Sequence, residues 1–294
     1  MKRLIFYHKS DLDGKCSGAV ASYFFKEEEH TLYPLEYYDD LPLEEMDSSS
    51  VLYFLDIFPQ PYEERYEAFL ERGVLPDNIF VCDHHKTFLE SEVAGKVGGN
   101  SQIGLSGCEL TFMFLYNKEY EEIPYWVKLL GRYDVWDNKD KEKWEEVILP
   151  FQWGMRQQNT DIAYGGVWND LVYNRIDIKT IIEVGKEFLE KEKEANIDIM
   201  EKHSFTALFK GHKCLACNTY KYSSQIFESK WDPSLYDFMM PFSITNEGKV
   251  KASLYTDRED IDVSVIAKEL GGGGHKGASG FIVDIYTFIE NLIT

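Results

Sequence analysis

The sequence lacks the long apolar segment of a membrane protein. No apolar run in its 294 residues approaches the ~20 residues that cross a bilayer. The short run Leu4-Ile5-Phe6-Tyr7 is followed at once by polar residues, which favours a first strand over a signal peptide. We therefore expect a cytoplasmic protein with no membrane partner.

Cysteine is scarce and scattered, at positions 16, 82, 108, 214 and 217. An odd number without regular spacing argues against a disulfide framework. Cys214 and Cys217 form one CxxC pair, but no second pair exists to complete a tetrahedral zinc site. Their odd separation in a strand-like segment sends the side chains to opposite faces. We expect both thiols to be structural.

Positive charge is in deficit, since 31 Lys+Arg stand against 51 Asp+Glu, for a net charge of −20. A protein that binds long nucleic acid by neutralising phosphates needs the opposite balance. Most of the negative excess lies in residues 1–178, where bound divalent cations would offset part of it. We expect a short oligonucleotide or nucleotide phosphate as substrate, and no long nucleic acid.

Apolar runs of strand length alternate with helical patterns in residues 1–178. The runs end at His8, Asp56 and Asp83, and Ser106 and Glu109 form a capping box before a further helix. This alternation predicts an α/β fold with a doubly wound, mainly parallel sheet. The helical pattern of residues 179–204 predicts a connecting helix. The short strand-like segments of residues 205–294 predict a smaller α/β domain.

Polar side chains suited to metal binding follow the predicted strands and one predicted helix. Open α/β sheets bind ligands beyond the carboxyl ends of their strands. Carboxylates and imidazoles without thiolates select a hard or borderline divalent ion, and the imidazoles favour Mn²⁺ over Mg²⁺. Each residue alone has a structural explanation, but their joint occurrence favours a metal site. The set is His8, Asp11, Asp13, Asp56, Asp83, His84, His85 and Asp134.

Four consecutive glycines precede His275. Such a run costs backbone entropy, so it is either a flexible loop or a place where backbone approaches an anion. We favour the second reading, in which Gly272, Gly273 and Gly274 offer N–H groups and His275 donates to a phosphate oxygen. Lys276 and Arg258 are either further cations of this site or solvated surface residues.

These motifs, in this order, resemble the DHH phosphoesterase superfamily with its C-terminal DHH-associated (DHHA1) domain. The resemblance spans nearly the whole chain. Motifs I to IV correspond to His8-Lys-Ser-Asp11-Leu-Asp13-Gly14, Asp56, Asp83-His84-His85 and Asp134, and the DHHA1 signature corresponds to Gly272-Gly-Gly-His275-Lys-Gly-Ala-Ser-Gly280.

The resemblance implies two divalent ions, expected to be Mn²⁺, that activate a water for attack on phosphorus. It also implies that His85 faces the phosphate, that Asp83 supports the site from close by, and that the glycine-histidine segment holds the substrate phosphate across an interdomain cleft. The implied ligands are His8, Asp11 and Asp56 for one ion and Asp13, Asp56, His84 and Asp134 for the other, with Asp56 shared.

One position departs from the family pattern. Many members carry an arginine in a Ser-Leu-Arg segment, whereas this chain has Ser253-Leu254-Tyr255. Tyrosine can donate one hydrogen bond or stack on a base, but it cannot clamp a phosphate through two bonds. Recognition of a terminal phosphate would then fall to another residue, such as Arg258.

Tyr255 and the compact first motif favour the nano-RNase branch, hence a Mn²⁺-dependent phosphodiesterase of short oligonucleotides. A phosphatase of 3′-phosphoadenosine 5′-phosphate and a hydrolase of linear or cyclic dinucleotides stay open.

RecJ-like action on long strands fits the negative charge poorly. Pyrophosphatase and exopolyphosphatase members lack the glycine-histidine motif. A non-enzymatic scaffold is disfavoured because no metal ligand is missing.

Overall fold

The computed structural model describes residues 2–162 and 165–293. It divides into two units, of which the first ends at Leu189 and the second begins at Glu190. The division falls within one long helix, Ile178–His203. No described helix is long and apolar enough to span a membrane.

The first unit is built on a parallel sheet with strand order β2-β1-β3-β4-β5. Its strands are β1 (Lys2–His8), β2 (His30–Leu35), β3 (Ser50–Leu55), β4 (Ile79–Cys82) and β5 (Gly98–Gly99). Its helices are α1 (Leu12–Phe24), α2 (Tyr62–Glu71), α3 (Lys86–Leu89), α4 (Gly107–Tyr116), α5 (Tyr125–Asp134), α6 (Lys141–Lys143), α7 (Leu149–Arg156) and α8 (Gly166–Val172), followed by α9 (Ile178–His203).

Both faces of this sheet are buried, as expected for a doubly wound fold. Leu4 and Phe6 pack into one apolar cluster, whereas Ile5 and Tyr7 pack into another on the opposite face. The alternation follows from the two-residue period of a strand. The prediction of an α/β fold with a mainly parallel sheet is confirmed.

The register of the sheet brings three strand ends together. Tyr7 lies opposite Leu55, and Leu55 lies opposite Cys82. The residues that follow these three in sequence therefore begin at the same edge of the sheet. That edge is where the candidate ligands were expected.

The second unit contains a seven-stranded mixed sheet with order β10-β11-β9-β8-β7-β6-β12. Cys214 and Cys217 on β7 belong to different apolar clusters, so their side chains do lie on opposite faces. The strands are β6 (Ser204–Phe209), β7 (His212–Asn218), β8 (Phe238–Ile244), β9 (Lys249–Tyr255), β10 (Gly273–His275), β11 (Ala278–Asp284) and β12 (Leu292–Ile293), and the helices are α10 (Val263–Glu269) and α11 (Ile285–Asn291).

Candidate metal centre

Asp56 lies at the centre of the site, directly after β3. Its side chain is almost fully buried, with 1% exposure, and its backbone has a positive φ of 60°. Aspartate and asparagine tolerate this left-handed conformation better than most residues. The Asp56 amide donates to the Cys82 carbonyl at 2.7 Å, which fixes the turn against β4.

One oxygen of Asp56 faces a first group of ligands formed with His8 and Asp11. His8 Nδ1 lies 3.6 Å from Asp56 Oδ2 and 3.1 Å from Asp11 Oδ2. Asp11 is held in place as the N-cap of α1, where it accepts the Gly14 amide at 2.9 Å. Candidate ligand atoms of all three residues lie within 4.8 Å of one another.

The other oxygen of Asp56 faces a second group. His84 Nε2 lies 3.3 Å from Asp56 Oδ1, 3.2 Å from Asp134 Oδ2 and 3.9 Å from Asp13 Oδ2. The structure thus brings together both predicted ligand sets, and it places Asp56 between them with one carboxylate oxygen toward each.

The N-terminus of α4 positions Asp13. The Gly107 amide donates to Asp13 Oδ2 at 2.7 Å and the Cys108 amide donates to Asp13 Oδ1 at 3.0 Å. The positive end of the helix dipole favours a carboxylate there. Gly107 is required, because a Cβ at this residue would lie 2.4 Å from Asp56 Cβ.

The pKa values reveal a shortage of positive charge. Burial and the charge of Asp13 raise the pKa of Asp134 to about 8, and the same two causes raise the pKa of Asp56. Burial alone would lower the pKa of His8, but Asp11 and Asp56 raise it to about 10. Carboxylates crowded in this way are stabilised as anions by bound cations.

Buried polar atoms without a hydrogen bond fit a metal site. Within residues 2–162 and 165–293, His8 Nδ1 and Asp56 Oδ1 are buried and make no hydrogen bond. Leaving such atoms unpaired is costly unless something else binds them. Oxygen and imidazole ligands without thiolates suit a divalent ion such as Mn²⁺, so these residues fit the ions that the sequence implies.

His85 is held beside this site by Asp83. The buried Asp83 carboxylate accepts from His85 Nδ1 at 2.6 Å and from the His85 amide at 3.0 Å. This arrangement fixes the imidazole ring and its tautomer. His85 Nε2 lies 3.2 Å from the Tyr37 hydroxyl.

Sequence reasoning missed two residues that follow β2. Glu36 Oε2 lies 3.4 Å from His8 Nε2, and the Tyr37 ring packs between His8 and His85. Burial and the charge of Asp83 raise the pKa of Tyr37, which keeps its hydroxyl protonated as a donor. Both residues orient imidazoles of the site.

Tyr37→Phe is expected to lower kcat/KM about tenfold, because groups that orient a catalytic or metal-binding histidine typically contribute 10–100-fold. The ring packing survives, so the melting temperature should change little. Steady-state kinetics test this, with Tyr38→Phe as the control at a neighbouring, exposed tyrosine. Equal activity of both variants would contradict a positioning role for Tyr37.

Divalent metal should also stabilise the fold. At 100 times its Kd, a bound ion contributes about 2.7 kcal/mol, and each kcal/mol raises the Tm of a domain of this size by about 2–4 °C. We expect Mn²⁺ to raise the Tm by about 5–10 °C and EDTA to reverse the rise, as measured by circular dichroism. An unchanged Tm at millimolar Mn²⁺ would argue against ion binding.

The glycines of this run have structural roles in the second unit. Gly271 and Gly272 end α10, with amides that donate to Lys268 and Ala267 carbonyls, a pattern typical of a glycine helix terminus. Gly274, at φ 138°, pairs so closely with Ser279 that a Cβ would lie 2.5 Å from Ser279 Cα. Gly273–His275 form β10, an edge strand of the sheet, and Gly272, Gly273 and Gly274 remain predicted to contact the substrate phosphate.

Two predicted substrate-binding residues flank one position of this sheet. Ala278 pairs with His275 on one side and with Tyr255 on the other. His275 and Lys276 are exposed, and Tyr255 is half-buried. This places His275, Gly273 and Tyr255 at one end of the sheet, where they remain predicted to bind substrate.

Arg258 is engaged within its own unit. Its Nε and Nη2 donate to both carboxylate oxygens of Asp260, at 3.0 and 2.6 Å, and its Nη1 donates to Asp237 at 3.0 Å. Two neighbouring carboxylates offset its charge, so this geometry argues against Arg258 as a free phosphate clamp. No local sequence pattern indicates the contact with Asp237, which lies 21 residues away.

Comparison with known proteins supports this fold. No protein-family model matches the chain. An uncharacterized protein of Acanthamoeba polyphaga mimivirus is 25% identical over 307 aligned residues, which cover 94% of this chain. The chain spans 66% of the length of that relative.

Among solved structures, the pGpG-specific phosphodiesterase PggH of Vibrio cholerae matches with a TM-score of 0.60 at 12% identity, over 99% of this chain and 96% of that one. An exopolyphosphatase-related protein of Bacteroides fragilis is 14% identical, with a TM-score of 0.48, over 95% and 86% of the two chains.

The match to PggH extends over both units, so the shared architecture is not confined to the parallel sheet. At such low identity it establishes the fold alone. The chain therefore shares the fold of this phosphodiesterase over both of its units.

Proposed function

We propose that this chain is a metal-dependent phosphodiesterase that hydrolyses short oligonucleotides, with dinucleotides as the favoured length. The observation that carries the proposal is the buried Asp56 carboxylate, which directs one oxygen toward each of two ligand groups. A carboxylate shared in this way is typical of two-metal phosphoryl chemistry.

The two proposed ions would share the Asp56 carboxylate. Bound there, they would supply an activated water and neutralise charge on the phosphate oxygens. Mn²⁺ is the proposed ion because each group includes an imidazole. The ligands would be His8, Asp11 and Asp56 for one ion and Asp13, Asp56, His84 and Asp134 for the other.

His85 is the proposed contact to the phosphate. When protonated, it would donate from Nε2 to a phosphate oxygen, and the Asp83 carboxylate at Nδ1 stabilises the resulting positive charge. The Tyr37 hydroxyl at Nε2 keeps the ring in place before substrate binds. Asp83 and Tyr37 therefore act through His85.

Charge and fold both support a short substrate. A net charge of −20 opposes binding along an extended polyanion. The phosphodiesterase with the same fold is named for pGpG, a dinucleotide. Hydrolysis of 3′-phosphoadenosine 5′-phosphate, which the same ligand sets could support, is the alternative.

The length dependence of hydrolysis tests this proposal. Mn²⁺-dependent cleavage would be measured on 5′-labelled RNA from dinucleotide to ~20-mer, a range that exceeds the ~4–16 nucleotides of common single-strand sites. We expect rates to fall steeply with length. Rates that are flat or rise with length would contradict the proposal, and preferential release of phosphate from 3′-phosphoadenosine 5′-phosphate would favour the alternative.

His275→Ala is expected to raise KM about 10–100-fold with little change in kcat, because a hydrogen bond to a charged group contributes about 1.5–3 kcal/mol to binding. His203→Ala, at another exposed histidine of the second unit, serves as the control. Michaelis kinetics on a dinucleotide separate the two constants. A loss confined to kcat would show that His275 does not act in substrate binding.

A further inference from the structure

A cavity of about 360 Å³ opens in the first unit beside α5. Its volume lies within the range of small-molecule sites. The cavity wall contains none of the proposed metal ligands and no part of the glycine-histidine segment. The residues of interest in its wall are Tyr120, Tyr125, Lys128, Arg132, Lys139 and Lys143.

An excess of positive charge distinguishes this cavity from the rest of an acidic chain, since four cationic and two anionic side chains line it. Among the described residues, three lysines of the wall form no ion pair: Lys128, Lys139 and Lys143. The Lys128 ammonium group donates to the Glu121 carbonyl, at 2.9 Å. Three such ammonium groups around one cavity favour an anionic ligand.

The two carboxylates in the wall, Asp137 and Asp140, offset only part of this charge. Asp140 caps α6 by accepting the Lys143 amide at 3.0 Å, and Asp137 lies 3.6 Å from Arg132 Nη1. These contacts fix both carboxylates in place, and the excess of cations over carboxylates leaves lysine ammonium groups for a ligand.

Aromatic rings complete the wall. The Tyr120 ring lies under Lys128 and Arg132, at 4.9 and 5.6 Å from its centroid. Tyr125 is 47% exposed, which leaves part of its ring open for stacking. Cations beside an open aromatic face are the combination that binds the phosphate and the base of a nucleotide.

We propose that this cavity is a second ligand site, which binds a nucleoside monophosphate with its phosphate at Lys139 and Lys143 and its base against Tyr125. The site is independent of the metal centre, so the proposal does not rest on the proposed hydrolysis.

Equilibrium binding to the full chain tests the proposal. Titration calorimetry would use adenosine 5′-monophosphate, inorganic phosphate and adenosine as probes. EDTA in the buffer removes divalent cations, so that the proposed metal ligands cannot bind phosphate through one. We expect one site for the monophosphate. Lys139→Glu with Lys143→Glu should weaken it about tenfold or more, because two charge-assisted hydrogen bonds are lost.

Lys141→Glu is the matched control, since this exposed lysine lies between the two in sequence and outside the cavity wall. We expect it to leave the affinity unchanged and Tyr125→Ala to weaken it. Three results would each overturn the proposal. They are equal affinity for inorganic phosphate and the monophosphate, no binding of the monophosphate, and a loss of affinity in Lys141→Glu equal to that of the double variant. Circular dichroism of every variant would show that the fold is retained, and none of these outcomes bears on hydrolysis at the metal centre.

Discussion

Asp56→Asn is expected to lower kcat about 1000-fold or more, because it removes the carboxylate shared by both ligand groups. Charge stabilisation by bound metal contributes several kcal/mol to phosphoryl transfer, and each 1.36 kcal/mol corresponds to about tenfold in rate. Asparagine has nearly the same shape and tolerates the φ of 60° at this position. The variant should therefore fold.

The same variant should lose most of the rise in Tm that Mn²⁺ produces. Glu63→Gln provides a matched control, because it removes one negative charge at an exposed residue of α2. The measurements are single-turnover hydrolysis of a dinucleotide and thermal unfolding with and without Mn²⁺. Near-normal hydrolysis by Asp56→Asn would show that the proposed sharing of this carboxylate is wrong.

Arg132→Met is expected to lower the free energy of unfolding by about 3–5 kcal/mol, the usual cost of leaving one member of a buried ion pair alone. Glu109 is fully buried, and Arg132 donates to it through Nε at 3.0 Å and through Nη2. Glu109 also closes the capping box of α4 by accepting the Ser106 amide at 3.0 Å.

Urea denaturation followed by circular dichroism measures this loss. Lys118→Met is the control, since it breaks an exposed ion pair with Glu122 that contributes at most about 1 kcal/mol. Adding Glu109→Gln to Arg132→Met should restore part of the stability by removing the buried charge. Equal stability of Arg132→Met and Lys118→Met would contradict a structural role for the Arg132–Glu109 pair.

The positions of the candidate site residues were predictable because parallel strands impose them. Each of His8, Asp56 and Asp83 ends or follows an apolar run, and the register of β1, β3 and β4 aligns those ends. The capping box at Ser106 was likewise visible in the sequence and is confirmed. Local patterns sufficed wherever burial and strand direction alone determined position.

Other features depend on contacts that no local pattern contains. Strand β2 carries Pro34 and exposed residues, since it lies at the sheet edge where proline is tolerated. It therefore lacks the apolar run that would have drawn attention to Glu36 and Tyr37. Similarly, the pairing of Gly274 with Ser279 arises from the hairpin and could not be read from the glycine run alone.

Anomalous diffraction from crystals grown with Mn²⁺ would test the central claim most directly. The proposed arrangement predicts two manganese peaks that both contact Asp56, one beside His8 and Asp11 and the other beside His84 and Asp134. A single peak, or two peaks of which only one contacts Asp56, would contradict the shared-carboxylate site.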